Sequence, residues 1–466
     1  RFFGIHGEPM LGSQGTAGMN LLYNGQGREE RWTHVGLDGQ PGRNAEGEIA
    51  SGTTYDEYGR IIERRHVGAD GKPLAGMTLV AGMRTEYDEL GNVSLRESFD
   101  SEGQPVQDKN GVAIDRSRHD HRGRLIERRD FDAQKRPVAD SDGWFGWRRA
   151  YDPWGRVVLL TRLGEDGQPQ PDKEGVAAHR YRYDERGHRI RMELLGADGR
   201  PASRANGVST WVYIVDDAGH RLSERRVGLL GQLTPDGRGI AGFDAQYDAR
   251  GNLIERVLIG KDGQPASSDD GIARYVWGYN DQDLVISAAY FDIRKWPTKT
   301  KEGIFSHGYR YDNRGHEVER LLLDEKGRPM ANTSGVARVE SDFEAAGGLV
   351  ESRYFDAAGA PSSGLQAPVV RRRNDPYGRE LERSFHDATG QPIISPVSGR
   401  AKVLLERDIF GRLVTERSMD PDGLPVNRRD LGWSWRTLHY GAMGELTKVD
   451  CFDSANKRVE RCDQNE

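Results

Sequence analysis

Cysteine is almost missing from this chain: there are two in 466 residues, Cys451 and Cys462. A disulfide framework therefore cannot be the source of the fold, and with no Cys-x-x-Cys a thiolate metal site is excluded as well. Long apolar runs are missing too. No stretch of about eighteen apolar residues occurs, so nothing reads as a membrane-spanning helix. Hydrophobic residues are only 35% of the chain against 30% charged, too few for a thick core with two buried faces. The net charge of −6 is not the basic balance of a nucleic-acid binder. The twelve histidines form no His-Glu-x-x-His or other metal spacing. There is no Gly-x-Ser-x-Gly elbow, and no segment keeps a helical apolar period with caps. Asp420-Pro421-Asp422-Gly423 opens like a calcium loop, but Leu431 stands where the closing glutamate belongs, so it reads as a plain turn. No catalytic, cofactor-binding or metal residue is expected, and no nucleic-acid partner.

Glycine is abundant, with 59 residues, and its placement is periodic. Tyr-Asp-x-x-Gly recurs every 32 residues at Tyr55…Gly59, Tyr87…Gly91, Tyr151…Gly155, Tyr183…Gly187, Tyr247…Gly251 and Tyr311…Gly315. Degenerate copies at His119…Gly123 and Val215…Gly219 hold the register, and looser ones follow at Asn374, Arg407 and Tyr440. A second marker, Gly-x-Pro, keeps the same clock, as at Gly167/Pro169 and Gly199/Pro201, while Lys135/Pro137 and Lys295/Pro297 lose the glycine. A third glycine stands eight residues before the tyrosine, as at Gly175 and Gly303. A fixed period of this kind is the signature of a repeat array, here about fourteen units. Residues 1–450 read as tandem repeats, the first truncated, and residues 451–466 as a capping hairpin. Arg1-Phe2-Phe3 falls in register as the end of a return strand, so a leader, a membrane anchor or further domains are expected upstream.

The unit from Gly175 to Pro201 shows the anatomy. Val176 to Asp184 alternates β-branched, aromatic and polar side chains and reads as a strand. Asp184 to Gly187 reads as a tight turn, because Asp can accept backbone amides ahead of it and Gly supplies the left-handed residue. His188 to Gly196 is the return strand, and Ala197 to Pro201 is a second turn that ends it. A short polar stretch leads to Gly207. The fold class that follows is all-β: an array of antiparallel hairpins forming a continuous, twisted, coiled or spiral, β-solenoid-like sheet, with one drier and one wetter face. The structural residues are the turn glycines Gly59, Gly91, Gly123, Gly155, Gly187, Gly219, Gly251 and Gly315.

The pattern Gly-x(7)-Tyr-Asp-x-x-Gly-Arg, clearest at Gly175…Tyr183-Asp184…Gly187 and Gly303…Tyr311-Asp312…Gly315, resembles the RHS/YD repeat of bacterial surface and toxin proteins. Gly59-Arg60-Ile61 and Gly123-Arg124-Leu125 match the tail of that motif. The resemblance implies a continuous antiparallel sheet coiling into a spiral or shell. It does not extend to the Gly-x-Pro half, and the family's usual repeat is shorter. Tyr151-Asp152-Pro153 only echoes the family's Tyr-Asp-Pro element, and the core signature and self-cleavage segment expected of it are not visible.

These readings favour a non-catalytic, extracytoplasmic bacterial scaffold that holds a protein partner or an anionic envelope polysaccharide. The alternative is an RHS-like shell or delivery fragment of a toxin system, and a carbohydrate-active enzyme is the least favoured class. Two sets of residues are candidates for binding. Return-strand arginines, represented by Arg65, Arg129 and Arg226, would stack into a cationic ladder, although Glu63, Glu127 and Glu224 nearby suit cross-strand ion pairs. Trp144, Trp147 and Trp154 cluster in sequence and offer flat faces for sugar rings or protein anchors. Cys451 and Cys462 flank a turn-like Asp453-Ser454-Ala455-Asn456, which suggests a disulfide locking the end of the array and an oxidising compartment.

Overall fold

The structure is a computed structural model. It describes all residues except 1, 3–10, 13–14, 45–47, 68–79, 109, 141, 345–346, 363, 365–366, 376–377, 409–410, 441–445 and 460–466. The described residues form twenty-nine strands and no helix. The chain folds as two compact units, one covering Arg1–Ala205 and one covering Asn206–Tyr440 with Leu446–Glu466. Both are antiparallel arrays of hairpins, as the alternating polar and β-branched pattern predicts.

In the first unit the outgoing strand Ala178–Tyr183 pairs with the return strand Arg189–Leu195 from Ala178↔Leu195 to Tyr183↔Arg189. Each strand is one or two residues shorter at either end than its pattern predicts. The seam to the preceding hairpin is shorter still: only Leu159↔Arg180, Leu160↔His179 and Thr161↔Ala178. The second unit repeats this. Arg274–Tyr279 pairs along its length with Val285–Phe291, whereas that strand meets the next hairpin only at Ser287↔Gly308, Ala288↔His307 and Ala289↔Ser306. Long seams within hairpins thus alternate with short seams between them.

Three turns of one design join the strands. At the Tyr-Asp turn Asp184 donates its amide to the His188 carbonyl (3.0 Å), Gly187 donates to the Asp184 carbonyl (3.2 Å), and Asp184 Oδ1 accepts the His188 amide (2.8 Å). The second turn repeats this at Asp324–Arg328, and the third at Asp172–Val176, where the sequence suggested only a polar stretch. The closing residue is left-handed, with φ 96° at Gly187. Four non-glycine residues hold the same conformation: Lys135 (63°), Asp283 (60°), Lys295 (66°) and Asn456 (64°). The looser spacing late in the chain also has a cause. In Ser395…Gly399 and Arg428…Gly432 the third turn closes from the fifth residue to the first, one residue longer than Asp172…Gly175.

The rest of the Tyr-Asp-x-x-Gly-Arg motif spans the short seam. Tyr183 donates its hydroxyl to the Val157 carbonyl of the preceding hairpin (2.7 Å). Tyr87 does the same to Ile61 (2.8 Å), Tyr151 to Leu125 (2.8 Å), Tyr279 to Leu253 (2.9 Å) and Tyr311 to Val285 (2.8 Å). The arginine after the turn glycine links two motifs. Arg156 Nε donates to Asp152 Oδ2 of its own turn (2.6 Å), Nη1 donates to the Asp184 carbonyl of the next turn (3.0 Å), and its guanidinium lies 4.9 Å from the Tyr183 ring centroid. Where tyrosine is lost, Asn374 and Arg407 send side-chain donors to the equivalent carbonyls of Leu349 (3.1 Å) and Glu380 (3.0 Å).

The two faces differ as the composition predicts. One carries Glu–Arg ladders. Arg84 reaches Glu63 (3.2 Å) and Glu97 (3.4 Å) on its two neighbouring strands, and in the second unit Arg353 reaches Glu340 (3.2 Å) and Arg371 reaches Glu351 (2.7 Å). The other carries the tyrosines with further rings, such as Tyr275 and Trp277 beside Tyr279. Full burial is confined to a band at the strand ends away from the Tyr-Asp turns: Phe99, Leu163 and Val176 in the first unit, Ile259, Ile304 and Phe385 in the second. Phe385 packs there with Ala367, Val370 and Val403. Cys451 is buried on strand Leu446–Phe452; Cys462 lies outside the described residues, as does the rest of the expected cap beyond residue 459.

The turn geometry predicts opposite effects at two positions. Gly187→Val should destabilise its unit by about 1–3 kcal/mol through left-handed strain. Lys295→Gly should stabilise by about 0.5–1 kcal/mol, since relief of the left-handed penalty exceeds the added unfolded-state entropy. Denaturant titration checks both, and a destabilised Lys295→Gly would refute the account.

Acid should loosen the turns. The Arg124 hydrogen bond pulls Asp120 from 3.8 to about 2, and the His316 hydrogen bond pulls Asp312 from 3.8 to about 2. A carboxylate depressed in the folded state stabilises above its unfolded value, and that contribution is lost as pH falls through the folded value. The melting temperature should therefore drop as pH is lowered from about 4 to about 2, and the double change Asp120→Asn, Asp312→Asn should make that drop shallower. An unchanged slope in the double variant would contradict it.

Candidate functional site

The sequence-predicted tryptophans do not meet. Trp144 follows the third-turn glycine at one end of strand Trp147–Tyr151, and Trp154 sits at the tip of the Tyr-Asp turn at the other end, 78% exposed. The five-residue strand between them alone keeps them about 16 Å apart. Each is engaged by an arginine: Arg162 lies 3.5 Å from the Trp144 ring centroid, Arg149 3.9 Å from Trp147 and Arg156 4.9 Å from Trp154.

Trp144 alone lines a cleft. It is about 500 Å³ in volume and is bordered by Asp142, Arg162, Gln170, Lys173 and Glu174. Arg162 is fixed there by Asp172 (2.7 Å). The same position in other repeats is filled by buried aliphatics, Val176, Val208 and Ile240 among them. Trp144 remains half-buried at that position and borders the open cleft.

The return-strand arginines do not form one ladder. Arg65 lies on the Glu–Arg face, 3.1 Å from Glu63 and 4.8 Å from the Phe99 ring centroid. Arg129 occupies the equivalent place in its repeat and donates to the Glu165 carbonyl (2.5 Å). Arg226 is one residue out of phase. It pairs across from Trp211, while Arg225 pairs with Val212, so Arg226 leaves its strand on the aromatic face. There it donates to Asp236 (2.7 Å) and to the Ile240 carbonyl (2.6 Å).

Sequence reasoning missed a buried charge cluster in the last repeats. Glu416 Oε1 accepts from Arg400 (2.9 Å), Glu416 Oε2 accepts from Arg436 (2.8 Å), and Arg428 lies 3.7 Å from Oε1. Arg428 also pairs with Asp430 (2.7 Å), and its hydrogen bond holds that carboxyl below the usual range. Burial, and then Arg428, pull Arg400 below the usual guanidinium value. The fully buried Trp433 ring lies 4.9 Å from Arg428 and 5.1 Å from Arg436. The available signal was Arg400 standing where other repeats place Val or Ile after the third-turn glycine. The cluster can fix the conformation of the longer turns but leaves no room for a substrate. Glu416→Gln keeps the shape and removes the central charge, so it should destabilise the last repeats by about 3–5 kcal/mol. Hydrogen exchange confined to residues 395–452 reads this out; unchanged protection there would show that the arginines are satisfied without Glu416.

No protein-family model matches the chain, and no curated protein matches it in sequence. Among solved structures, it is similar to a crystal structure of TcdB2-TccC3-TEV at 13% identity, over 95% of this chain and 22% of that one, with a TM-score of 0.48. It is similar to TcdB2-TccC3 without the hypervariable C-terminal region at 14% identity, over 93% and 21% of the two chains, with a TM-score of 0.37. A Tc holotoxin pore from Photorhabdus luminescens aligns at 13% identity, over 94% and 22%, with a TM-score of 0.26. The chain spans about a fifth of the length of these matched chains.

Proposed function

We propose that this chain is a non-catalytic wall element, an RHS-like shell or delivery fragment of a bacterial toxin system. One observation carries the reading: each residue of Tyr-Asp-x-x-Gly-Arg is committed to holding one hairpin onto the next. Tyr183 and Arg156 cross the short seam to their neighbours, and Asp184 and Gly187 close the turn. The repeated residues therefore maintain a sheet, as the RHS/YD resemblance implies, and none is left to be a repeated reaction centre. Such a wall works by enclosing or carrying polypeptide. Its aromatic face suits apolar segments of a non-native chain, and its Glu–Arg face suits water.

The intact chain should retain α-casein, a natively unfolded probe, in co-sedimentation at high salt, and should slow its digestion by trypsin. Loss of retention with rising salt would point instead to a charged ligand. Turnover of a glycan or peptide that vanishes with one substitution would overturn the non-catalytic reading. The proposal places the protein outside the cytoplasm, where Cys451 and Cys462 would bridge; non-reducing mass analysis of secreted material showing two free thiols would count against both.

The second reading, a scaffold for a protein or an anionic polysaccharide, is favoured by the Trp144 cleft with its cationic Arg162 and Lys173. On that reading Trp144→Ala should abolish capture of the partner, while Arg65→Ala, Arg129→Ala and Arg226→Ala together should weaken it and flatten its salt dependence.

A further inference from the structure

The aromatic face of the second unit contains a place where the repeat pattern is broken. Tyr275 and Trp277 stand on strand Arg274–Tyr279, Tyr290 on Val285–Phe291, and His307 and Tyr309 on Ser306–Tyr311. The registers Tyr275↔Tyr290, Trp277↔Ala288 and Ala288↔His307 put these side chains on one face. Tyr275 and Trp277 are parallel to within 9°, with centroids 5.9 Å apart, and His307 and Tyr309 are parallel to within 12° at 5.7 Å. These two ring pairs sit two strands apart, about 10 Å. Tyr290 closes one end, perpendicular to Tyr275 (86°) and to His307 (89°), and its hydroxyl is 3.1 Å from His307 Nδ1. The floor between the pairs is Ala288.

Alanine is the smallest side chain found at that position. Arg64, Arg96, Arg128, Arg256, Arg320 and Arg383 occupy it in six other repeats, and Trp32, Leu160, Met192, Glu224, Ser352, Glu416 and Val449 in the rest. In two of those repeats the arginine lies over a ring: Arg256 is 4.7 Å from the Phe243 centroid, and Arg320 is 5.8 Å from that of Tyr309. Among the described residues no guanidinium covers Trp277. Three tyrosine hydroxyls, an indole N–H and an imidazole belong to the slot, and the one guanidinium beside it, Arg320 on Tyr309, is neutralised by Glu317, to which it donates (2.8 Å). Burial lowers His307 from its ordinary value and pushes Tyr290 up to about 12, so both stay uncharged near neutrality. Flat apolar faces with hydrogen-bonding edges, and no net charge, match an uncharged sugar, whose ring presents C–H groups on its faces and hydroxyls on its rim.

We propose that Tyr275, Trp277, Tyr290, His307 and Tyr309 form a binding slot for a neutral pyranose of a glycan chain, opened by alanine at position 288. This does not depend on the wall reading, because the slot can decorate a shell or a scaffold alike. The test titrates the intact chain with cellopentaose, maltopentaose and chitopentaose by calorimetry, at low and high salt. At least one should bind with an affinity that salt leaves unchanged. Trp277→Ala should weaken it by about tenfold or more, the loss expected when a main stacking face is removed. Ala288→Arg should do the same while folding normally, because six other repeats carry arginine at that position. Absence of binding by all three sugars, or binding unchanged in both variants, would overturn the proposal. In that case the rings are cross-strand packing that merely covers the sheet. Loss of casein retention without loss of sugar binding would instead reject the wall reading alone.

Discussion

The structure depends on how a short seam between hairpins is held. Within a hairpin, pairing runs the full length of both strands; between hairpins it stops after three residue pairs, as at Leu159↔Arg180 to Thr161↔Ala178. The strands part toward the Tyr-Asp turn, and the Val157 carbonyl lies beyond the last paired residues. The tyrosine hydroxyl reaches that carbonyl and the arginine reaches the next turn, so the seam is closed by side chains where the backbone ladder has ended. Each such bond contributes only about 0.5–1.5 kcal/mol net. Repetition makes them decisive, because the contact recurs in most repeats, with Asn374 and Arg407 standing in where tyrosine is lost, and stability accumulates along the array.

A single sheet held this way has little interior. Most burial lies in the band where the second and third turns fold against the strand ends, and a repeat supplies only a few small or aliphatic residues to it, such as Val176, Ala177, Leu194 and Leu195. The low apolar content follows, and so does the division of labour between faces. Charged residues pair in Glu–Arg ladders, each exposed pair contributing little but together keeping one face wet. The opposite face gathers rings. Three repeats depart from their neighbours on this surface: a tryptophan where several others place valine or isoleucine at Trp144, an alanine where six others place arginine at Ala288, and a buried glutamate among three arginines at Glu416.

Much of this was legible in the residues. The period located the strands to within one or two residues, the Asp and Gly offsets located two of the three turns, and Glu–Arg pairing on one face followed from alternation. The third turn was marked by its glycine yet read as a polar stretch, because its first residue varies among Asp, Ser, Thr and Asn. The role of tyrosine was not legible at all. Its partner is a backbone carbonyl 26 residues earlier, and backbone carbonyls carry no sequence signal.

The candidate sites show the same limit. Trp144, Trp147 and Trp154 are neighbours in sequence but lie along an extended strand, so proximity in the chain becomes distance in space. Arg226 looked like a partner of Arg65 and Arg129, yet one step of phase sends it to the other face. The sequence alone determined the period, the all-β class, two of the three turns and the polarity of each face, because these are local and repeat at fixed offsets. Only the tertiary structure decided which rings stand together, which arginines are already engaged and where the cover over the aromatic face is missing. Those properties depend on which residues of different hairpins are brought opposite one another across the seam.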